Sequence, residues 1–225
     1  MALLEESDDG RRRLKHGRRS LGGKSKKSTR IERHEQNKNR LFQAAADVVG
    51  KHGYAEASIA RITERAGLAQ GTFYLYFKNR QDLLDQLLPT VGREMIEFVT
   101  TAVHGSSDIF EVEERGFRAF FSYVLKHKHF FRILHEAAVA APKGYERHFK
   151  LLSDRYVSSL ARATERGQIK SYKAEQLELI GYVLMAARDY IHLRFASASR
   201  RQNQIPEWVV ETYMDFVRTG LRKLK

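Results

Sequence analysis

Apolar residues recur along this chain at intervals of three and four, and strict alternation of apolar with polar positions is scarce. That period belongs to helices packed on one face, so the pattern predicts an all-α fold. A first helix is expected over 33–51, striped by Leu41, Ala44, Ala45, Val48 and Val49, with Gly53-Tyr54 turning the chain. Ser58 then offers an N-cap, and Ile59, Ile62, Thr63 and Ala66 share one face. Gly67 is placed to close that helix in the left-handed conformation, with Leu68 packing back beneath the turn. A short helix follows over 70–77. Asn79, with Asp82 reaching back in a variant of the capping box, opens a third. From Leu83 to Thr101 the pattern predicts a long helix buried through Leu84, Leu87, Leu88, Val91, Met95, Phe98 and Val99, with Pro89 expected to kink it or mark a boundary. Beyond a loop at 104–108, helices are expected over 109–127, 129–139, 144–167, 174–198 and 206–223.

Two short helices separated by three residues have the spacing of a helix-turn-helix. In the second, Phe73 and Phe77 are one turn apart and suit burial, which leaves Gln70, Gly71, Thr72, Tyr74 and Tyr76 to face outward. Small, amide and hydroxyl groups on an exposed face suit a surface of donors and acceptors such as DNA. Arg80 falls in the first turn of the next helix, where a cation opposes the macrodipole, so a nearby phosphate explains it better than stability does.

The run Gly53-Tyr54, Ser58-Ile59, Ile62, Ala66-Gly67-Leu68, Gly71 to Phe77, Asn79-Arg80 and Leu83-Leu84 resembles the DNA-binding domain of the tetracycline-repressor (TetR) family. The match covers about Arg33 to Leu88. It implies a dimer that sets two recognition helices on a palindromic operator in double-stranded DNA, most often as a repressor. Ser58, Gln70, Gly71, Thr72, Tyr74, Tyr76, Lys78 and Arg80 are the DNA-binding residues so implied, and Lys38 and Arg40 are further candidates. Three positions depart from the commonest family pattern: Ala57 for a phosphate-contacting Thr, Ala69 for a capping Ser, and Arg80 for Lys. Ala69 costs the recognition helix about 1 kcal/mol of capping.

Charge divides the chain further. The net charge is +13, of which residues 1–30 carry ten Lys or Arg against four acids, while 31–90 carry eight against seven. Gly, Ser, Lys and Arg dominate the N-terminus, so a disordered basic arm over 1–32 is expected, as a solubilising tail or as an arm that follows phosphates. A helix-turn-helix domain over 33–90 and a ligand-binding and dimerisation domain over 91–225 complete the division. Cysteine is absent, which fits a reducing cytoplasm, and no apolar run approaches the roughly 20 residues that span a bilayer.

Between Phe110 and Tyr156 the sequence holds ten aromatic residues. Such stripes build cores, and together with Ala137 to Ala141, Gly181 and Ala186 opposite they suggest a cavity lined with rings. The segment Phe130 to Tyr145 resembles family members that respond to lipophilic or acyl ligands. The expected effector is therefore a small lipophile, a fatty acid or acyl-CoA among the candidates, held by Phe120, Phe131, Tyr145, Phe149, Tyr156, Met185 and Arg188. Arg188, Asp189 and His192 interrupt an apolar helix, either as an internal ion pair or interface bridge or as the group that meets a ligand's polar head. In the family the last two helices form the dimer interface. His127, His129, His135 and His148 lack the acidic and cysteine partners of a metal site, and Glu113-Glu114 reads as a solvated stretch. No phosphate loop, nucleophile elbow or zinc-protease motif occurs, so no catalysis and no cofactor are expected. The alternative is a helix-turn-helix regulator without effector, whose C-terminal domain only dimerises.

Overall fold

A computed structural model describes residues 22–196 and 204–222. Among them are the helices α1 (Gly22–His52), α2 (Ile59–Ala66), α3 (Gln70–Phe73), α4 (Arg80–Ala102), α5 (Ile109–Lys126), α6 (Phe130–Ala140), α7 (Pro142–Glu165), α8 (Ala174–Ile191) and α9 (Glu207–Leu221). The fold is all-α, and extended pairing among the described residues is confined to one bridge between Ile169 and Arg222. No described helix is long and apolar enough to cross a membrane. Contacts divide the chain after Asn37. On the N-terminal side, residues 22–37 are the first turns of α1, and every side chain from Arg30 to Gln36 is exposed. The helix thus begins well ahead of the expected Arg33, and the part of the basic arm in residues 1–21 lies outside the described residues. From Lys38 onward the chain forms one compact unit.

In that unit Leu41, Ala45 and Val49 of α1, Ile62 of α2 and Leu83, Leu84, Leu87 and Leu88 of α4 are buried around Phe73 and Phe77. The two rings lie 5.4 Å apart, and Phe42 meets Phe77 edge-on at 5.3 Å. Each buried phenylalanine contributes about 1.5–3 kcal/mol of burial, which holds a helix too short to persist alone. That helix is shorter than expected. α3 ends at Phe73, and residues 74–76 tighten into turns in which Leu75 N–H meets Thr72 O and Tyr76 N–H meets Phe73 O. Ala69 supplies no side-chain cap and Gly71 is a poor helix former, so nothing local sustains a longer helix.

α4 runs unbroken through Pro89. Proline has no N–H to offer the carbonyl of Asp85 one turn earlier. Arg147 of α7 supplies the missing donor, its Nη2 standing 2.6 Å from Asp85 O. Gly144 lies against the same carbonyl, where a Cβ would come within 2.5 Å. The proline therefore makes a docking point for α7. Phe98, expected in the buried stripe, is exposed. α8 stops at Ile191 rather than 198 and passes into a π-turn over His192–Ala196.

Candidate nucleic-acid interface and effector cavity

Local caps set the helix-turn-helix. Ser58 Oγ accepts from Arg61 N–H at 3.2 Å and opens α2. Gly67, at φ 63°, closes it, and Leu68 N–H bonds Thr63 O at 2.9 Å. Asn79 Oδ1 accepts from Asp82 N–H, and Asp82 Oδ2 accepts from Lys78 N–H, each at 2.9 Å. This is the reciprocal cap the sequence suggested, with the return bond landing one residue earlier.

Between these caps α3 and its following turn stand clear of the core. Gln70, Gly71 and Lys78 are exposed, Tyr74 is 61% exposed, and Thr72 and Tyr76 are half-buried. Around Gly71 nothing lies within 4 Å of where a Cβ would be, so the backbone is open to close approach. Leu75, 72% exposed at the tip, belongs to the same surface. The sequence does not single it out among the outward residues, although it stands between two outward tyrosines.

Arg80 is also bound within the protein. Its Nε donates to Ala57 O at 2.8 Å, and Nη2 reaches Tyr54 O and, at 3.2 Å, Ala55 O. The guanidinium is thus engaged with the carbonyls of the turn between α1 and α2, which explains a cation at a helix N-terminus without a phosphate. Arg40 is engaged in the same way, giving Nη2 to Ala66 O at 2.6 Å, where it satisfies a carbonyl at the end of α2.

The second feature is a cavity of about 770 Å³ among α4 to α9, within the size range of small-molecule sites. Phe120, Phe131, Tyr145, Phe149, Tyr156, Met185 and Arg188 all line it. Phe120 meets Phe131 edge-on at 6.0 Å, and Tyr145 and Phe149 are 4.5 Å apart. Gly181 lets α8 approach Tyr156 of α7, where a Cβ would sit 3.0 Å from the Tyr156 Cβ. Arg188, 9% exposed, pairs at 2.7 Å with Glu113, which is 8% exposed. Tyr213 gives its hydroxyl to the same Glu113 oxygen at 2.5 Å, and burial first, then the carboxylate, push its pKa well above the usual range. The reading of Glu113-Glu114 as solvated is therefore corrected for Glu113. Its helical register with Ile109, Phe110, Gly116, Phe117 and Phe120 carried the signal, since that is the buried face of α5. Asp189 faces His135 at 2.8 Å, and His192 stacks on Phe131 at 3.7 Å. Of the three polar residues in that stretch, Arg188 makes a buried ion pair, with Glu113. His148, 1% exposed, also lines the cavity, and burial holds its pKa down at about 4. No group of three His, Cys, Asp or Glu among the described residues is placed to hold a metal.

Side chains of α6 tie this body to the turn between α1 and α2. Glu136 accepts from Tyr54 N–H at 2.8 Å and from Arg132 Nε at 2.7 Å, while Arg132 Nη1 donates to Lys51 O at 2.8 Å. Gln81 of α4 donates to Ala140 O at 2.9 Å, and the His129 ring lies against Gly50. Phe131 and Leu134, on the same helix, line the cavity.

Residues 41–87 match the model for bacterial regulatory proteins, tetR family. An uncharacterized HTH-type transcriptional regulator of Bacillus subtilis, YvdT, is 34% identical over 73 residues, 32% of this chain and 38% of that protein. The fatty acid metabolism regulator protein of the same organism is 39% identical over 57 residues, 25% of this chain and 29% of that one. In these comparisons the chain spans 29% to 38% of the length of its relatives. Solved structures extend the likeness in fold. A TetR family transcription regulator from Marinobacter aquaeolei aligns with TM-score 0.67 at 18% identity, over 86% of this chain and 100% of that one. The transcriptional regulator FadR from Bacillus subtilis, solved in complex with stearoyl-CoA, aligns with TM-score 0.68 at 18% identity, over 80% and 97%. With its helix-turn-helix capped and packed as described and continued into an all-helical body, the chain carries over residues 41–87 the domain of bacterial regulatory proteins of the tetR family.

Proposed function

We propose that the protein is a homodimeric, sequence-specific transcription regulator, acting as a repressor that leaves a palindromic operator when a small, largely apolar effector fills the cavity. The observation that carries this reading is the α6 clasp. One short helix both lines the cavity through Phe131 and Leu134 and holds the α1–α2 turn through Arg132 and Glu136. A ligand that shifts α6 therefore shifts the reading head, and a coupling of about 1–3 kcal/mol changes DNA affinity several-fold to a hundredfold. Residues 33–90 serve as the reading head and 91–225 as the effector and dimerisation body. Two copies related by a two-fold axis present α3 to successive major grooves about 34 Å apart. Leu179, Val183 and Tyr190 of α8 and Trp208 and Phe216 of α9, all exposed, are the apolar surface that a second copy would cover.

On the DNA side, Gln70 pairs with an adenine, Thr72 and Leu75 touch thymine methyls, and Ser58, Tyr74, Tyr76 and Lys78 reach phosphates or base edges. Similarity to a fatty acid metabolism regulator supports an acyl chain as effector, carried as a fatty acid or an acyl-CoA. The test begins with an operator selected from random duplexes and followed by fluorescence anisotropy. Gln70→Ala is expected to relax preference at one base pair by about 1–3 kcal/mol, and acyl compounds are expected to release the wild-type protein. An operator that no lipophile releases would leave a constitutive DNA binder whose body only dimerises.

A further inference from the structure

The polar end of the cavity already has its charge balanced. Arg188 and Glu113 pair at 2.7 Å, and Tyr213 donates to the same carboxylate. The guanidinium carbon of Arg188 also stands 5.4 Å from the Tyr156 ring centre, 5.8 Å from Phe120 and 5.9 Å from Phe117, so ring faces add to the compensation of the cation. A second anion entering beside this buried pair would face Glu113 in a medium of low dielectric, and the other arginines of the lining, Arg155, Arg162 and Arg166, are exposed to solvent. What remains unused are donors. Arg188 Nε and the Tyr156 hydroxyl are both buried and have no hydrogen-bond partner among the described residues. Burying a donor unused costs about 1–3 kcal/mol, a penalty that an oxygen on a ligand would remove. Around them the lining is apolar, with Ile96, Val99, Leu134, Phe149 and Met185 among its members.

We infer that the cavity takes an uncharged lipophile whose carbonyl oxygen accepts from Arg188 and Tyr156, and that it rejects the matching free carboxylate. This rests on the reading of the cavity as an effector site and narrows its chemistry. An ester, ketone or thioester qualifies, whereas a free fatty acid brings one negative charge too many. Arg188, which looks in the sequence like an anchor for a carboxylate, is held by Glu113 as a donor to neutral groups.

The experiment is calorimetric titration of the full chain with decanoate and methyl decanoate, which share one alkyl tail and differ in charge, followed by the same pair on operator-bound protein. Wild type is expected to prefer the ester by at least about tenfold, a difference of about 1.4 kcal/mol. That preference alone would also suit any greasy pocket, so two variants carry the decision. Glu113→Gln frees the Arg188 charge and is expected to raise decanoate affinity about tenfold while methyl decanoate changes little. Tyr156→Phe keeps the ring and removes the hydroxyl, and is expected to weaken the ester about fivefold, the worth of one hydrogen bond, without weakening decanoate. An unchanged ester-to-acid ratio in Glu113→Gln, or equal binding of both ligands by wild type, overturns the inference. Should Glu113→Gln fail to fold, Tyr156→Phe decides by itself: loss confined to the ester supports the assignment, and no loss overturns it. If decanoate binds and releases DNA as well as the ester does, the effector reading stands and this inference falls. If neither ligand binds and no lipophile loosens DNA, both fall.

Discussion

Replacing Arg80 by alanine separates two roles that the sequence alone confuses. In the structure its guanidinium holds three carbonyls of the α1–α2 turn, at Ala57 (2.8 Å), Tyr54 and Ala55 (3.2 Å). A hydrogen bond from a charged donor contributes about 1.5–3 kcal/mol, but the side chain is half-buried and water replaces part of what is lost, so the clasp as a whole is worth about 2 kcal/mol. In a chain of this size that corresponds to a fall in Tm of about 4–8 °C. Arg80→Lys offers one donor group without the planar fork and is expected to recover less than half of the loss. Thermal unfolding of both variants gives the first readout. The second is the salt dependence of operator affinity. A loosened turn lowers affinity at every salt concentration and leaves the slope unchanged, whereas loss of a phosphate contact lowers the slope by about 0.9. An unchanged Tm together with a reduced slope would refute the clasp and restore Arg80 as a phosphate ligand.

Gly144→Ala sets a Cβ 2.5 Å from the Asp85 carbonyl, a backbone atom that cannot rotate away; urea unfolding is expected to show a loss of about 1–3 kcal/mol. Burial lowers the His148 pKa from 6.5 to about 4. The unfolded chain therefore binds this proton more readily, so the stability is intact above about pH 6.5 and drains away as pH falls toward 4, with about 2 kcal/mol gone by about pH 5. In unfolding measured across that window, His148→Leu is expected to show a correspondingly flatter dependence, and equal slopes would contradict the burial argument. Phe216, 70% exposed on α9, is expected to lie in the dimer interface, so Phe216→Lys should shift sedimentation equilibrium toward monomer while leaving helicity unchanged.

Features whose cause lies within a few residues were legible in the sequence. Ser58 caps its own helix from three residues away, Gly67 closes it, and Asn79 and Asp82 cap each other's turn, because the partner is the next turn of the same chain. The ring-lined cavity was legible too, since the helical period alone puts Phe120, Phe131, Tyr145 and Phe149 on inward faces. Tertiary structure decided the fate of the charges. Whether Arg80 meets a phosphate or a carbonyl depends on a turn about 25 residues earlier in the chain, and Glu113 is buried because Arg188, 75 residues later, neutralises it. Pro89 spares α4 a break because Arg147, on another helix, satisfies the carbonyl it strands. A charged or stranded polar group is stable only beside its partner, and local periodicity holds no record of a partner brought up from a distant helix. The apolar pattern therefore determined where the helices lie, and the packing of those helices determined which polar groups are spent on the fold and which are left without a partner inside it.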